Sequence, residues 1–341
     1  MTKTPHTSAE ILPTDTPQLF DEAVTRASEL LRSGKVVALP TETVYGLAAN
    51  ALNADAIAKI FEIKGRPAHN PVIAHVSSVE MARRCSSEWP ILADRLAKAF
   101  WPGPLTLVLP RSPALPNILT AGGPTVGVRW PSHPFIQAVI RRCGFPLAAP
   151  SANLSNRVSP TNAGHVFRQL GLRIPLIVDG GQCQVGIEST VLDVSVLPAR
   201  VLRPGTIRRE ALLAVTNELA AGPEPAAGIA KSPGLFRKHY APRARLVVQA
   251  WSNDQELWRQ LEPFGISGSK THIIAHSRIP SASDWGSVSV IPHEAEAFAR
   301  AFYVQLHACD EAGAELIVVE ALPQTDEWQG LSDRLNRAAT I

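Results

Sequence analysis

The sequence predicts an α/β protein, in which a mixed-sheet domain is followed by a smaller parallel-sheet domain. Three observations carry this. Short apolar runs and amphipathic helical stretches mix between Asp21 and Arg203 without strict alternation, as in a mixed sheet with helices packed on it. A stretch rich in Ala, Gly and Pro at 221–234 then breaks the composition, as linkers do. Behind it, strand-like runs and helical runs alternate, which suggests a parallel sheet. The 341 residues suffice for about two domains, and 45% hydrophobic against 18% charged residues exclude a disordered chain.

Taken in order, residues 1–17 hold Pro, Thr and Ser without periodicity and read as a loose arm. Val24, Ala27 and Leu31 share one face of a helix from Asp21 to Arg32, with Gly34 as its stop. Lys35–Pro40 is a short apolar run, read as a strand that Pro ends. Asn53 can cap a helix running to about Lys64 that buries Ile57, Ile60 and Phe61. Strands are expected at Pro71–Val76, Leu105–Leu109, Thr125–Arg129, Leu147–Ala149, Leu176–Val178, Ser189–Val194 and Val201–Arg203. Helical patterns lie near 91–100, 133–142 and 161–170, the last with Thr161 as a cap. Past the linker, strands are expected at Arg245–Ala250, His272–Ala275, Ser287–Ile291 and Glu315–Glu320. Helical runs at 253–262 and 294–310 separate some of them, and Phe298, Phe302 and Leu306 stripe the second. The domains are expected at 15–215 and 245–341, joined by a linker at 216–244.

No apolar run approaches the ~20 residues of a membrane helix, and the polar N-terminus carries no secretory pattern. The four cysteines, Cys85, Cys143, Cys183 and Cys309, are far apart and form no CxxC pair, so zinc and redox motifs are not signalled. A reducing, cytoplasmic location is the expectation. The net charge of +3 hides an asymmetry. Residues 1–244 carry 26 Lys and Arg against 17 Asp and Glu, and residues 245–341 carry 7 against 13. The first part would attract polyanions such as nucleotides or RNA.

The informative basic residues stand where Pro bounds a loop: Arg66 in KGRP (64–67), Arg129 in VRWP (128–131) and Arg203 in LRPG (202–205). In open α/β sheets, ligands bind at strand ends and the loops beyond them. Arg offers a planar fork of donors that matches carboxylate or phosphate. Three Arg and Lys64 converging there would make an anion site, whereas each alone reads first as a solvated loop charge. Small hydroxyls cluster in similar places: Thr41-Glu42-Thr43, Ser151-Ala152-Asn153 with Ser155, Ser159 and Thr161 nearby, and Glu188-Ser189-Thr190. Such groups can bind phosphate oxygens or an amino-acid head group, or can simply make turns and caps. Gly268-Ser269-Lys270-Thr271 fails the P-loop spacing. GxGxxG, HExxH and GxSxG are absent, so a serine hydrolase has little support. No carboxylate cluster marks a metal cage, and His75 inside a strand would ordinarily be a satisfied core residue.

Seven stretches in order carry a family resemblance: ALPTETVYGLAANA (38–51), IFEIKGRPAHNPVIAHV (60–76), WPGPLTLVL (101–109), TVGVRWPSHP (125–134), AAPSANLSNRVSPT (148–161), VGIESTVLDV (185–194) and VLRPGTI (201–207). With SPGLFRKHYAP (232–242) and EWQGLSDRLNRAA (327–339), the chain resembles the threonylcarbamoyl-AMP synthases of the YrdC-like family, in their two-domain form. It departs from the family at Val72, where Leu is common, and at Leu235 and Phe236, where Met and an aromatic are. The resemblance implies a twisted, open mixed sheet around a basic cavity, then a smaller Rossmann-like domain. It implies that L-threonine, bicarbonate and ATP become threonylcarbamoyl-adenylate and pyrophosphate, for the threonylcarbamoyladenosine of tRNA position 37. Thr43, His75, Arg129 and Ser189 are similar to the family's threonine contacts. Arg66, Asn70, Thr125, Ser151, Ser159 and Arg203 resemble its nucleotide contacts, and Lys64 and Asn153 belong to the same loops. Tyr240 matches a linker residue that closes over the nucleotide. Lys64, Arg66 and Arg203 are the residues expected to bear the catalytic charge. Mg2+ is implied as an ion bridged by the substrate phosphates, without a protein cage. Downstream tRNA threonylcarbamoyl-transfer proteins are implied partners, with weak direct tRNA binding as a further one; no membrane partner is expected.

Two rival readings share the basic N-terminal part. An RNA-binding or ribosome-maturation module would need a broad basic stripe with exposed aromatics, but aromatics are only 6% of the chain and the Arg residues sit beside small hydroxyls. Carbamoyl transfer, as in hydrogenase-maturation proteins, lacks the accompanying acylphosphatase and zinc-finger segments.

Overall fold

A computed structural model describes residues 8–221, 231, 240–281 and 284–339. The expectations for residues 1–7, and for 222–230 and 232–239 of the linker, lie outside these residues. The chain divides into two compact units, one within Met1–Ser155, Ser159–Gln184 and Glu188–Leu235, the other within Asn156–Val158, Val185–Ile187 and Phe236–Ile341.

The larger unit opens with β1 (Glu10–Pro13), which pairs in parallel with a strand at Leu176–Asp179. The loose-arm reading of residues 1–17 is corrected here. β1 is an edge strand with mostly exposed side chains, so it carries no apolar alternation for a sequence to reveal. Then follow α1 (Pro17–Arg32), β2 (Val37–Leu39), β3 (Gly46–Asn50), α2 (Ala54–Lys64), β4 (Ala74–His75), α3 (Val79–Cys85), α4 (Ile91–Phe100), β5 (Leu105–Pro110), β6 (Thr125–Arg129), α5 (Pro134–Cys143), β7 (Leu147–Ala148), α6 (Ala163–Leu170), β8 (Leu176–Asp179), β9 (Thr190–Asp193), β10 (Arg200–Arg203) and α7 (Arg209–Thr216). α1 begins four residues before its apolar stripe suggests, because the Thr16 hydroxyl accepts the Leu19 N–H and Pro17 suits the first turn. Asn53 caps α2 as expected, its Oδ1 accepting the Ala56 N–H at 3.0 Å. α6 is capped by Asn162 rather than Thr161: the Asn162 Oδ1 accepts the His165 N–H at 2.9 Å.

Ten strands form one mixed sheet in the order β1-β8-β2-β3-β7-β4-β6-β5-β9-β10. Parallel pairs (β1–β8, β2–β8, β4–β6, β5–β9) interleave with antiparallel ones (β2–β3, β3–β7, β4–β7, β5–β6, β9–β10). One apolar core joins the sheet to its helices, with Leu31, Ile57, Ile60, Leu96, Phe135, Ile136 and Ile140 buried.

The smaller unit contains β11 (Arg245–Gln249), α8 (Asp254–Leu261), β12 (Thr271–Ala275), β13 (Ser287–Val290), α9 (Ala295–Glu311), β14 (Leu316–Glu320) and α10 (Gln329–Ala338). Its sheet, β11-β14-β12-β13, is parallel throughout. Phe298, Phe302 and Leu306 of α9 are buried, as their spacing implied. The expected fold class therefore holds for both units. Among the described residues, no helix is long and apolar enough to cross a membrane, and all four cysteines are buried free thiols.

Candidate functional site

Strand register gathers the site. Arg129 ends β6 and pairs with His75, the last residue of parallel β4. β5 runs antiparallel to β6, and its first residue, Leu105, pairs with Thr190, the first of β9. β10 returns along β9 and brings Arg203 opposite Val191. Five neighbouring strands thus place His75, Arg129, Thr106, Ser189 and Arg203 at one end of the sheet. Thr106 and Ser189, 83 positions apart in the chain, become hydrogen-bonding neighbours there.

Arg129 is buried and held from three sides. Its Nε donates to the Gly103 carbonyl at 3.3 Å, its Nη1 to the Thr43 hydroxyl at 3.0 Å, and its Nη2 lies 2.7 Å from Glu42 Oε1. Thr43 is itself fixed, its hydroxyl 2.9 Å from that of Thr41, which bonds the Val44 carbonyl. His75 is buried, with an Nδ1 that lacks a hydrogen-bond partner of good geometry. Burial, then the Arg129 charge, push its pKa down to about 3. The imidazole is neutral at physiological pH and available as a hydrogen-bonding group, not as a cation. This fixes a sign. As pH falls from 6.5 towards 3, the unfolded chain takes up a proton that the folded His75 refuses. His75 therefore withdraws stability in acid. An NMR titration should show no ionisation of His75 between about pH 5 and pH 8, where an ordinary histidine titrates. His75→Asn should flatten the acid limb of the stability profile.

Arg203 closes the neighbouring corner. Its Nε and Nη2 donate to the Ser189 carbonyl at 3.2 and 2.9 Å, and Nη2 also reaches the Ser189 hydroxyl at 3.2 Å. That hydroxyl lies 2.8 Å from the Thr106 hydroxyl. Gly205 lets the LRPG loop approach so closely, since a Cβ there would come within 2.5 Å of the Thr190 nitrogen.

A third group is built by α2 and the loop after β7. Lys64, the last residue of α2, is 3% exposed, and its ammonium donates to the Ser151 and Asn153 carbonyls, both at 2.5 Å, and to Asn153 Oδ1 at 3.3 Å. Three acceptors around one nitrogen match the three donors of an ammonium. Burial, followed by the charge of Arg66, lowers the Lys64 pKa well below its ordinary value, while Glu188 opposes the shift. Gly65 ends α2 in a left-handed conformation and turns the chain so that Arg66 enters the interior. Arg66 donates to the Asn70 carbonyl at 3.0 Å, to Asn70 Oδ1 at 2.6 Å and to the Pro71 carbonyl at 2.7 Å. Ser159 donates to Glu188 Oε1 at 2.6 Å, and Glu188 is the chain neighbour of Ser189.

The contacts thus join Lys64 to Ser151 and Asn153, Arg66 to Asn70, Ser159 to Glu188, and Ser189 to Arg203, while Arg129 bonds Thr43 and pairs with His75. Thr125 starts β6 opposite Pro110, at the far end of the strand from Arg129 and on the side from which the Arg66-bonded Asn70–Pro71 segment enters parallel β4. Tyr240 lies in the smaller unit. Its ring is buried against Tyr303, centroids 5.9 Å apart, with the Arg334 guanidinium 5.6 Å over its face. Sequence reasoning gave no role to Glu42, Glu188 or Thr106. The signal for the two acids was a carboxylate beside small hydroxyls, in Thr41-Glu42-Thr43 and Glu188-Ser189-Thr190, where a buried charge needs a partner.

Residues 29–205 match the Sua5/YciO/YrdC family, described as telomere recombination, and residues 207–340 match the family described as threonylcarbamoyl-AMP synthase, C-terminal domain. A threonylcarbamoyl-AMP synthase of Pyrococcus abyssi is 39% identical over 319 residues, covering 92% of this chain and 93% of the relative. One from Bacillus subtilis is 39% identical over 331 residues, covering 96% and 95%. The crystal structure of P. abyssi Sua5 complexed with L-threonine superposes with a TM-score of 0.88 at 36% identity, covering 98% of each chain.

Proposed function

The chain belongs to the threonylcarbamoyl-AMP synthase family, and we propose that L-threonine, bicarbonate and ATP react at a basic site to which Arg129 and Arg203 contribute from one end of the neighbouring strands, and Arg66 and Lys64 from the segments that flank β4 and β7. Its activity is threonylcarbamoyl-AMP synthesis for the threonylcarbamoyladenosine modification of tRNA. The observation that carries the assignment of the site is the burial of Arg129 and Arg203 against the hydroxyls of Thr43 and Ser189 at one end of neighbouring strands.

Arg129 binds the threonine carboxylate, with Thr43, neutral His75 and Ser189 orienting the rest of the amino acid. The threonine complex of the P. abyssi relative supports an amino acid as one ligand. Threonine and bicarbonate give the N-carboxylate, water and a proton. A carbamate oxygen then attacks the α-phosphorus of ATP, a P–O bond forms, and the bond to the departing pyrophosphate breaks. No enzyme nucleophile is required. The substrates bring several negative charges together, so positioning and charge neutralisation supply the catalysis. Arg66 and Arg203 provide fixed positive charge beside the phosphates, and Asn70, Thr125, Ser151, Asn153 and Ser159 complete the nucleotide contacts. Lys64 adds charge and pins the Ser151–Asn153 loop.

Magnesium fits this site only as an ion carried by the phosphates. The two carboxylates within the network are both engaged, Glu42 with Arg129 and Glu188 with Ser159, and do not make the oxygen cage of a protein-held ion. Bound to the triphosphate, magnesium would supply charge neutralisation at the leaving pyrophosphate. The product is a reactive mixed anhydride, so tRNA threonylcarbamoyl-transfer proteins are the expected next partners.

The test is formation of the adenylate and pyrophosphate with threonine and bicarbonate omitted in turn. Both omissions should abolish turnover. Pyrophosphate release that continues without threonine would overturn the assignment.

A further inference from the structure

We propose that Glu42 is the positioning residue of the threonine clamp, acting through Arg129 by fixing the direction of its guanidinium fork. The proposal rests on the reading of Arg129 as the carboxylate-binding group.

Glu42 and Arg129 are both 5% exposed, with 2.7 Å between Oε1 and Nη2. Both Glu42 oxygens are shut off from solvent, and neither makes a hydrogen bond of good geometry. The carboxylate therefore presents nothing to solvent and exerts its effect on the guanidinium. Burial is the strongest single influence and pushes the Glu42 carboxyl up, but the Arg129 charge and the N–H groups of Arg129, Ser132 and Glu42 beside it together outweigh burial and leave the pKa below its ordinary value, so Glu42 is an anion near neutral pH.

Arg129 has three fixed partners: the Gly103 carbonyl on Nε, the Thr43 hydroxyl on Nη1 and Glu42 on Nη2. A guanidinium carries five N–H donors. Two remain, one on each terminal nitrogen, the number that a carboxylate takes in two parallel bonds. Glu42 is the charged member of the three and so the strongest restraint on rotation of the fork. It also offsets the cost of a buried cation while no amino acid is bound. The loop Thr41–Thr43 thus does two jobs. Thr43 is offered to the ligand, and Glu42 aims the group that holds the ligand's carboxylate.

Initial rates of the full-length enzyme, with threonine and ATP varied separately, test this. Glu42→Gln keeps the shape and removes the charge. It should raise the KM for threonine about tenfold or more while kcat and the KM for ATP stay within about twofold. Glu42→Asp, which keeps the charge one methylene back, should fall between. An equal rise in both KM values, a fall in kcat alone, or tighter threonine binding would each overturn the proposal. If Glu42→Gln folds poorly, Glu42→Asp with calorimetric threonine binding to the full chain makes the same distinction. Arg129→Ala separates the two levels. If it raises the threonine KM while Glu42→Gln does not, Glu42 alone loses its role. If Arg129→Ala leaves the threonine KM unchanged, the clamp itself is misassigned.

Discussion

Arg203→Ala is expected to lower kcat/KM by roughly 2–5 kcal/mol, the usual loss when one partner of a buried charge-assisted contact is removed. The side chain is 3% exposed and makes three hydrogen bonds to Ser189. Its removal takes a fixed cation from the phosphate side and frees Ser189 on the threonine side, so both substrate KM values should rise. An exposed arginine would cost at most ~0.5 kcal/mol. Kinetics with each substrate varied distinguish the two, and a near-wild-type Arg203→Ala enzyme would remove the LRPG loop from the site.

Arg129→Ala is expected to act on threonine first, with a comparable loss of roughly 2–5 kcal/mol read mainly in the threonine KM. It also strands Glu42, and the consequence for stability has a definite sign. In the wild-type protein, Arg129 holds the Glu42 pKa below its ordinary value of 4.5. The pair's contribution is present above pH 4.5 and is lost as pH falls through the depressed pKa. Without Arg129, burial is opposed only by the backbone N–H groups of Ser132 and Glu42, each a smaller influence, and the Glu42 pKa should rise. The unfolded chain then ionises first, so the variant should lose stability as pH rises through and above 4.5. Thermal midpoints measured across pH should show this reversal for Arg129→Ala. Adding Glu42→Gln to that variant should abolish it. An unchanged slope would mean that Glu42 is not stranded.

The sequence made some of this legible. Where burial imposes a period or a cap has a side chain, the reading was close. β6 occupies the expected Thr125–Arg129, and Asn53 caps α2. The parallel sheet of the smaller unit followed from the alternation of apolar runs with helices. β1 was missed because an exposed edge strand has no apolar face. β3, Gly-Leu-Ala-Ala-Asn, was missed because small residues lack strand propensity, although β2 and β7 flank it on both sides. In the site, the Pro-bounded arginines announced themselves as donors in search of an anion. Their partners did not, because which distant segments meet in this domain is set by strand order. Lys64 meets Asn153 across 89 positions and Arg129 meets Thr43 across 86. Lys64 read as a phosphate-facing charge from its loop, whereas its ammonium is bonded to the Ser151–Asn153 segment.

The most direct measurement is a crystal structure of this protein with L-threonine and a non-hydrolysable ATP analogue. The account expects the threonine carboxylate on Arg129 at about 2.8 Å, Glu42 still paired behind it, and the triphosphate against Arg66 and Arg203. Threonine bound away from Arg129, or a triphosphate that touches neither Arg66 nor Arg203, would contradict it.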